Sequence, residues 1–91
     1  MYQITDYTKQ KARELGVVVT NSSDPKKKID VFKNGKKIAS VGAVGYNDYP
    51  SYISLFGKEF ADKKRKLYKM RHSKDLKVVE SNGWYANKLL W

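Results

Sequence analysis

Apolar residues recur along this chain with two spacings, one helical and one alternating, and the breaks between them divide it into predicted elements. Ile4, Tyr7, Ala12 and Leu15 share one stripe at helical spacing. Thr5 or Asp6 can cap that stretch and Gly16 suits its stop, which predicts a helix through about Leu15. Val17, Val18 and Val19 form a β-branched run between Gly16 and the turn-rich NSSDP, favouring a buried strand over more helix. In residues 28–33, KIDVFK, Ile29 and Val31 alternate with charged neighbours, and residues 37–43, KIASVGA, resume strand character. Asn34-Gly35 between them supplies the two positive-φ positions of a type I′ hairpin turn. A loop with Gly42, Gly45 and Pro50 then leads to a short helical turn near Ser51 to Phe56 and a long helix from Gly57 to Asp75. After the breaker Ser81-Asn82-Gly83, Trp84 to Trp91 reads as a brief amphipathic helix. The expected fold is one small α+β domain over residues 1–91. A two- or three-stranded antiparallel sheet would pack with an N-terminal helix, the long helix and a short C-terminal helix. A chain of 91 residues allows one modest core.

Charge changes this picture most in the long helix. Lys58, Lys63, Lys64, Arg65, Lys66, Lys69, Arg71, Lys74 and Lys77 stand against only Glu59, Asp62 and Asp75, within a chain of net charge +10. A surplus of that size calls for neutralisation, and polyanionic nucleic acid is the common partner. On a helical wheel Phe60, Ala61, Leu67 and Tyr68 gather on one side, with Met70 at the margin, while Lys58, Arg65, Lys66 and Lys69 point away. Lys64 and Arg71 fall inside the apolar sector, where an unpaired charge is costly to bury. Either they snorkel or pair with Asp48, Asp62 or Glu80, or they clamp phosphates or a partner carboxylate.

Three further clusters admit two readings each. Lys26-Lys27-Lys28 with Lys36-Lys37 forms either a nucleic-acid patch or a solvated surface that blunts the edge of a small sheet. Tyr46, Tyr49 and Tyr52 offer stacking faces for unpaired bases or fill the core of a domain poor in Leu and Ile. Trp84, Tyr85, Leu89, Leu90 and Trp91 make an apolar terminus that docks on its own sheet or on another chain, with Trp84, Tyr85, Leu90 and Trp91 the candidate partner contacts.

Signatures of catalysis are scarce. His72 is the only imidazole and cysteine is absent, so a zinc finger, a two-histidine metal site or a triad with a spare base cannot be assembled within one chain. The carboxylates show no spacing typical of a two-metal nuclease, and the segment from Gly42 to Gly45 lacks the lysine and hydroxyl of a phosphate-binding loop. The expectation is a non-enzymatic protein without cofactor or metal. Its first residues carry Asp6 where a signal peptide needs an apolar run, and no stretch approaches the length of a membrane span. Secretion and membrane insertion are therefore not expected.

TDYTKQKARELGV, KKIDVFKNGKKIASVG, GYNDYPSY, GKEFADKKRKLYKMRH and GWYANKLLW together resemble a family of short basic proteins encoded by large DNA viruses and some phages. Asp48-Tyr49, Arg71-His72 and Leu89-Leu90-Trp91 are the most specific parts of the likeness, which spans most of the chain. The resemblance implies a viral origin, a place in the virion or inside the infected host cell, and a non-enzymatic role. It brings no assigned activity and no binding residues. Lys63, Lys64 and Lys66 stand where relatives are expected to carry more arginine, a change that weakens bidentate phosphate recognition.

Two function classes follow. In the first, Lys63, Lys64, Arg65, Lys66, Lys69 and Arg71 contact the phosphates of DNA or RNA with little sequence preference, and Tyr46, Tyr49 or Tyr52 stack on bases. In the second, the domain is a minor capsid or cement protein that binds other virion proteins through its aromatic terminus and basic helix. A homo-oligomer is open in both. The modest apolar face of the basic helix argues against a membrane surface.

Overall fold

Why the chain starts as a helix is visible at Thr5, whose side chain accepts the Thr8 N–H and caps α1, Asp6–Leu15. Gly16, at φ 73°, ends α1 in the left-handed conformation that a residue with a Cβ avoids. The computed structural model describes residues 2–91. After α1 come three strands, β1 Val18–Asn21, β2 Lys27–Lys33 and β3 Lys36–Ala43, then α2 Tyr49–Phe56, α3 Lys58–Arg71, a 3-10 turn at Asp75–Lys77 and α4 Asn82–Leu90. The strands form one antiparallel sheet in the order β1-β2-β3. The fold is thus a small α+β domain with the three-stranded alternative realised.

Alternation places the core. Val19 pairs with Val31, Ile29 with Val41 and Val31 with Ala39, so these side chains share the face that α1 and α4 cover. Ala12, Val17, Tyr85, Leu89 and Leu90 complete that buried cluster. Asp30, between Ile29 and Val31, points the other way and is nevertheless buried. The Ser22 and Ser40 hydroxyls donate to it at 2.7 and 2.6 Å, and the Ser23 N–H at 3.2 Å. Those bonds, with Lys37 nearby, hold its carboxyl down at about 2 despite burial.

Several boundaries differ from the pattern-based expectation. The valine run enters an edge strand, Val18–Asn21, that is mostly exposed rather than buried. Helix α4 begins at Asn82, inside the expected breaker, because the Ser81 side chain accepts the Trp84 N–H and caps it. Helix α2 begins at Tyr49 rather than Ser51, because Asp48 accepts the Ser51 N–H at 3.1 Å and Pro50 fits the first turn. Helix α3 stops at Arg71 rather than Asp75: its last contact with the domain's aromatic rings is made by Tyr68 and His72, and the charged residues beyond have no apolar stripe to bury.

Candidate nucleic-acid interface

Gly57, at φ 90°, turns the chain between α2 and α3 so that the two helices pack on one another. Their contact is built around Asp62. The Tyr49 hydroxyl donates to Asp62 Oδ1 at 2.6 Å, Lys58 Nζ to Oδ2 at 3.0 Å, and Arg65 Nη2 lies 3.6 Å from Oδ1. The tyrosine bond first, and Lys58 next, hold the Asp62 carboxyl below the usual carboxylate range, and the same bond pushes the Tyr49 phenol up. Arg65 lies over the Tyr49 ring at 4.0 Å and reaches the Trp91 carbonyl at 3.5 Å. Its guanidinium is fixed in place, with one edge turned toward α1 and α4.

There, three helices enclose a cleft of about 290 Å³. Arg65 and Lys69 come from α3, Lys11 from α1 and Lys88 from α4, and Glu14 is the one carboxylate on the lining. Lys69 Nζ donates to Asn87 Oδ1 at 2.8 Å, which holds the ammonium between the two helices. Burial first, then the charges of Arg65, Lys88 and Lys11, push that ammonium below the usual lysine range. Glu14 lies 3.8 Å from Lys11 on the exposed rim. Four cations around a half-buried hollow with one rim carboxylate make a site that favours an anion.

The other predicted site residues divide by position. Lys63 and Lys66 are exposed on the solvent side of α3 and make no ion pair among the described residues. Lys64 lies over the Phe60 and Tyr52 rings at 5.4 and 5.9 Å, the packing alternative for a cation in an apolar sector. Arg71 is exposed and lines a second cleft together with Tyr46, Tyr52 and Trp91. Tyr46 is 76% exposed, and Tyr52 is half-buried beside Phe60 and Trp91. Tyr49 is corrected: at 3% exposure, with Tyr7 at 5.5 Å and Arg65 on its ring, it has no face for a base. Tyr85 and Leu90 are corrected as partner contacts as well, since both are 2% exposed and belong to the domain's own core. Trp84 is half-buried with its ring against Tyr85, and Trp91 stacks on Tyr68 at 4.3 Å.

Two residues the sequence reading did not single out, and one it placed at the surface, matter here. Lys11, between Lys9 and Arg13, and Lys88, alone among cations near the end of α4, join the cleft only because α1 and α4 pack together. Lys28, grouped with the surface cations of the hairpin, is 4% exposed and pairs with the buried Asp48 at 3.0 Å. Its ammonium also donates to the Tyr46 carbonyl at 2.6 Å, and Tyr2 donates to Asp48 at 2.7 Å. Burial raises the Asp48 pKa, but the Ser51 and Tyr2 hydrogen bonds and the Lys28 charge outweigh it and hold the carboxyl below its ordinary value. The signal available for this pair was the Asp48-Tyr49-Pro50-Ser51 run, which reads as a helix cap and so places Asp48 at a fixed point next to the sheet.

Among the described residues no group of three or more His, Asp or Glu side chains comes together to hold a metal ion, and no helix is long and apolar enough to cross a membrane. Comparison with protein-family models, with curated proteins and with solved structures gives no match.

Proposed function

We propose that this domain binds nucleic acid through the phosphate backbone, without catalysis and with little sequence preference. The observation that carries the reading is the cleft where Lys11, Arg65, Lys69 and Lys88 converge against Glu14 alone. Like charges gathered in a half-buried hollow are mutually destabilising, and a phosphate that enters between them relieves that repulsion while accepting charge-assisted hydrogen bonds. The exposed Lys63 and Lys66 extend the positive field along α3 and suit a chain of phosphates better than a single small anion. The resemblance to short basic proteins of large DNA viruses and phages supports a genome-associated role in a virion or an infected cell.

Fluorescence anisotropy with labelled DNA and RNA, single- and double-stranded, tests this across a salt series. Binding is expected with a log-log salt slope of several phosphates, at about 0.9 per duplex phosphate or 0.7 per single-strand phosphate. Lys11→Glu with Lys88→Glu should flatten that slope, whereas Lys9→Glu with Lys36→Glu, both exposed and outside the cleft, should alter it less. A folded protein that binds none of these nucleic acids at low salt overturns the reading.

A second reading, docking on another virion protein, has its own observation. Leu55 and Phe56 at the α2 end are exposed beside Phe60, an apolar corner joined to Trp91 through the Tyr52 ring. Under this reading Phe56→Ser abolishes co-sedimentation with particle proteins and leaves nucleic-acid affinity unchanged.

A further inference from the structure

A second cleft, of about 430 Å³, shares Trp91 as a wall with the cationic one and falls within the roughly 300–1,000 Å³ of small-molecule sites. Its interior wall is aromatic and set. Trp91 stacks on Tyr68 at 4.3 Å with the rings 8° from parallel, and Tyr52 lies 6.0 Å from Trp91. The floor is close-packed, with the Gly42 backbone set against two side chains: a Cβ there, where φ is +84°, would come within 2.9 Å of Leu90 Cδ1 and 3.0 Å of Lys28 Cβ.

The rim is different. Tyr46 stands there 76% exposed, with no ring partner among the described residues, although its backbone is fastened. The buried Lys28 donates to the Tyr46 carbonyl at 2.6 Å, and the Tyr46 N–H donates to the Ala43 carbonyl at 3.3 Å. A fixed loop thus presents an aromatic face that packs against nothing in its own domain. Arg71 and Lys27 line the same cleft, exposed and without an ion pair among the described residues. The carboxylate on the lining, Asp48, is already engaged by Lys28, Tyr2 and the Ser51 N–H. What remains open is an aromatic face beside an uncommitted guanidinium and ammonium.

We propose that this cleft takes the base of an unpaired nucleotide, stacked on Tyr46, with the adjoining phosphate on Arg71 and Lys27, so that the domain selects single strands over duplexes. The inference rests on the phosphate-binding reading and adds the strand form to it. A paired base has both faces covered by its neighbours and cannot offer one to Tyr46, whereas a base in a single strand can, at little cost. The common wall at Trp91 places the two clefts side by side, so a flexible strand can leave one phosphate among Lys11, Arg65, Lys69 and Lys88 and turn a neighbouring base onto Tyr46.

The test is anisotropy with a labelled mixed-sequence oligodeoxynucleotide, long enough for its duplex to stay paired at the assay salt and temperature, and with that duplex, for the wild type, Tyr46→Ala, Tyr46→Phe and Arg71→Gln. The wild type should prefer the single strand. Tyr46→Ala should weaken that binding roughly 5- to 150-fold, the range for one lost base stack. Its salt slope should stay the same, because stacking displaces no counterions, and Tyr46→Phe should restore affinity. Arg71→Gln should instead lower the slope by about one phosphate. Equal affinity for the two forms, or a Tyr46→Ala variant within twofold of wild type on the single strand, overturns the inference and leaves the phosphate reading standing. Absence of binding to both forms at low salt overturns the two together.

Discussion

The sheet with α1 and α4, and the α2-α3 arm, are held together by different physics. On the sheet side Ile29, Val31, Val41, Leu89 and Leu90 are sealed from water in one apolar cluster. Neither α2 nor α3 contributes a side chain to that cluster among the described residues. The arm is attached instead by Tyr49 on Tyr7, Tyr68 on Trp91, Lys69 to Asn87, and the ion pair of Lys28 with Asp48. Apolar burial is non-directional and tolerant, whereas rings and charges hold only in specific orientations. The domain thus puts its apolar stability in one region and gathers its cleft cations where the two regions meet, Arg65 and Lys69 from the arm and Lys11 and Lys88 from α1 and α4.

The contrast is broken most severely from the core. Leu89 is fully buried, so Leu89→Ala should cost about 3–5 kcal/mol, a large share of the stability of so small a domain. Urea denaturation monitored by circular dichroism should show the whole transition shift. Next comes the junction. Asp48→Ala leaves Lys28 charged and buried without its carboxylate and removes the α2 cap, a loss of about 3–5 kcal/mol. Adding Lys28→Met should recover a substantial part of it, and a double variant no better than Asp48→Ala would mean that the charge was not the source.

Acid should weaken the sheet side as well. With its folded pKa depressed to about 2, Asp30 contributes stability that is fully present at neutral pH. As pH falls below about 5 the unfolded chain takes up the proton first, and roughly 2 kcal/mol is lost by the time pH reaches the folded value. Asp48 titrates in the same direction. Urea midpoints through the acid range should therefore decline less steeply in Asp30→Asn than in wild type, from a lower starting point.

A smaller effect separates the regions directly. Trp91 is half-buried between the core and α3, and Trp91→Ala should loosen the arm by about 1–2 kcal/mol while the sheet stays closed. Amide hydrogen exchange should speed up in α3 and remain slow in β2. Equal acceleration in both would make the arm part of one cooperative unit with the core.

The same division governs what could be read from the sequence. The hairpin was legible because Asn34 and Gly35, at φ 54° and 78°, advertise a turn that few other residue pairs form, and because Ile29 and Val31 alternate strictly. Helix α1 was legible from Thr5 and Gly16 for similar local reasons. The arm's helices were also visible, but not the roles of their side chains. Lys64 on the rings of Tyr52 and Phe60, or Arg65 over Tyr49, depends on how α2 lies against α3, which no spacing within either helix determines. The cationic cleft is further from view, since Lys11, Lys69 and Lys88 meet across three helices that are far apart in sequence. Lys28 was hidden by its company: a lysine triplet reads as surface, and only the third member turns inward to Asp48.

The finest test of the comparison is at Lys88. This residue lines the cationic cleft, adds to the charge that depresses Lys69, and is otherwise engaged only by the Trp84 ring at 5.6 Å among the described residues. If the cations of the cleft serve a partner rather than the fold, Lys88→Gln should leave stability within about 0.5 kcal/mol of wild type, the lost ring contact being offset by relieved repulsion. Affinity for a single-stranded oligonucleotide should meanwhile fall about three- to fivefold near physiological salt, with the salt slope reduced by about one phosphate. Thermal unfolding and anisotropy on the same preparation check both halves. A loss above 1 kcal/mol without change in the slope would instead make Lys88 a structural residue of α4 and leave the cleft one contact short.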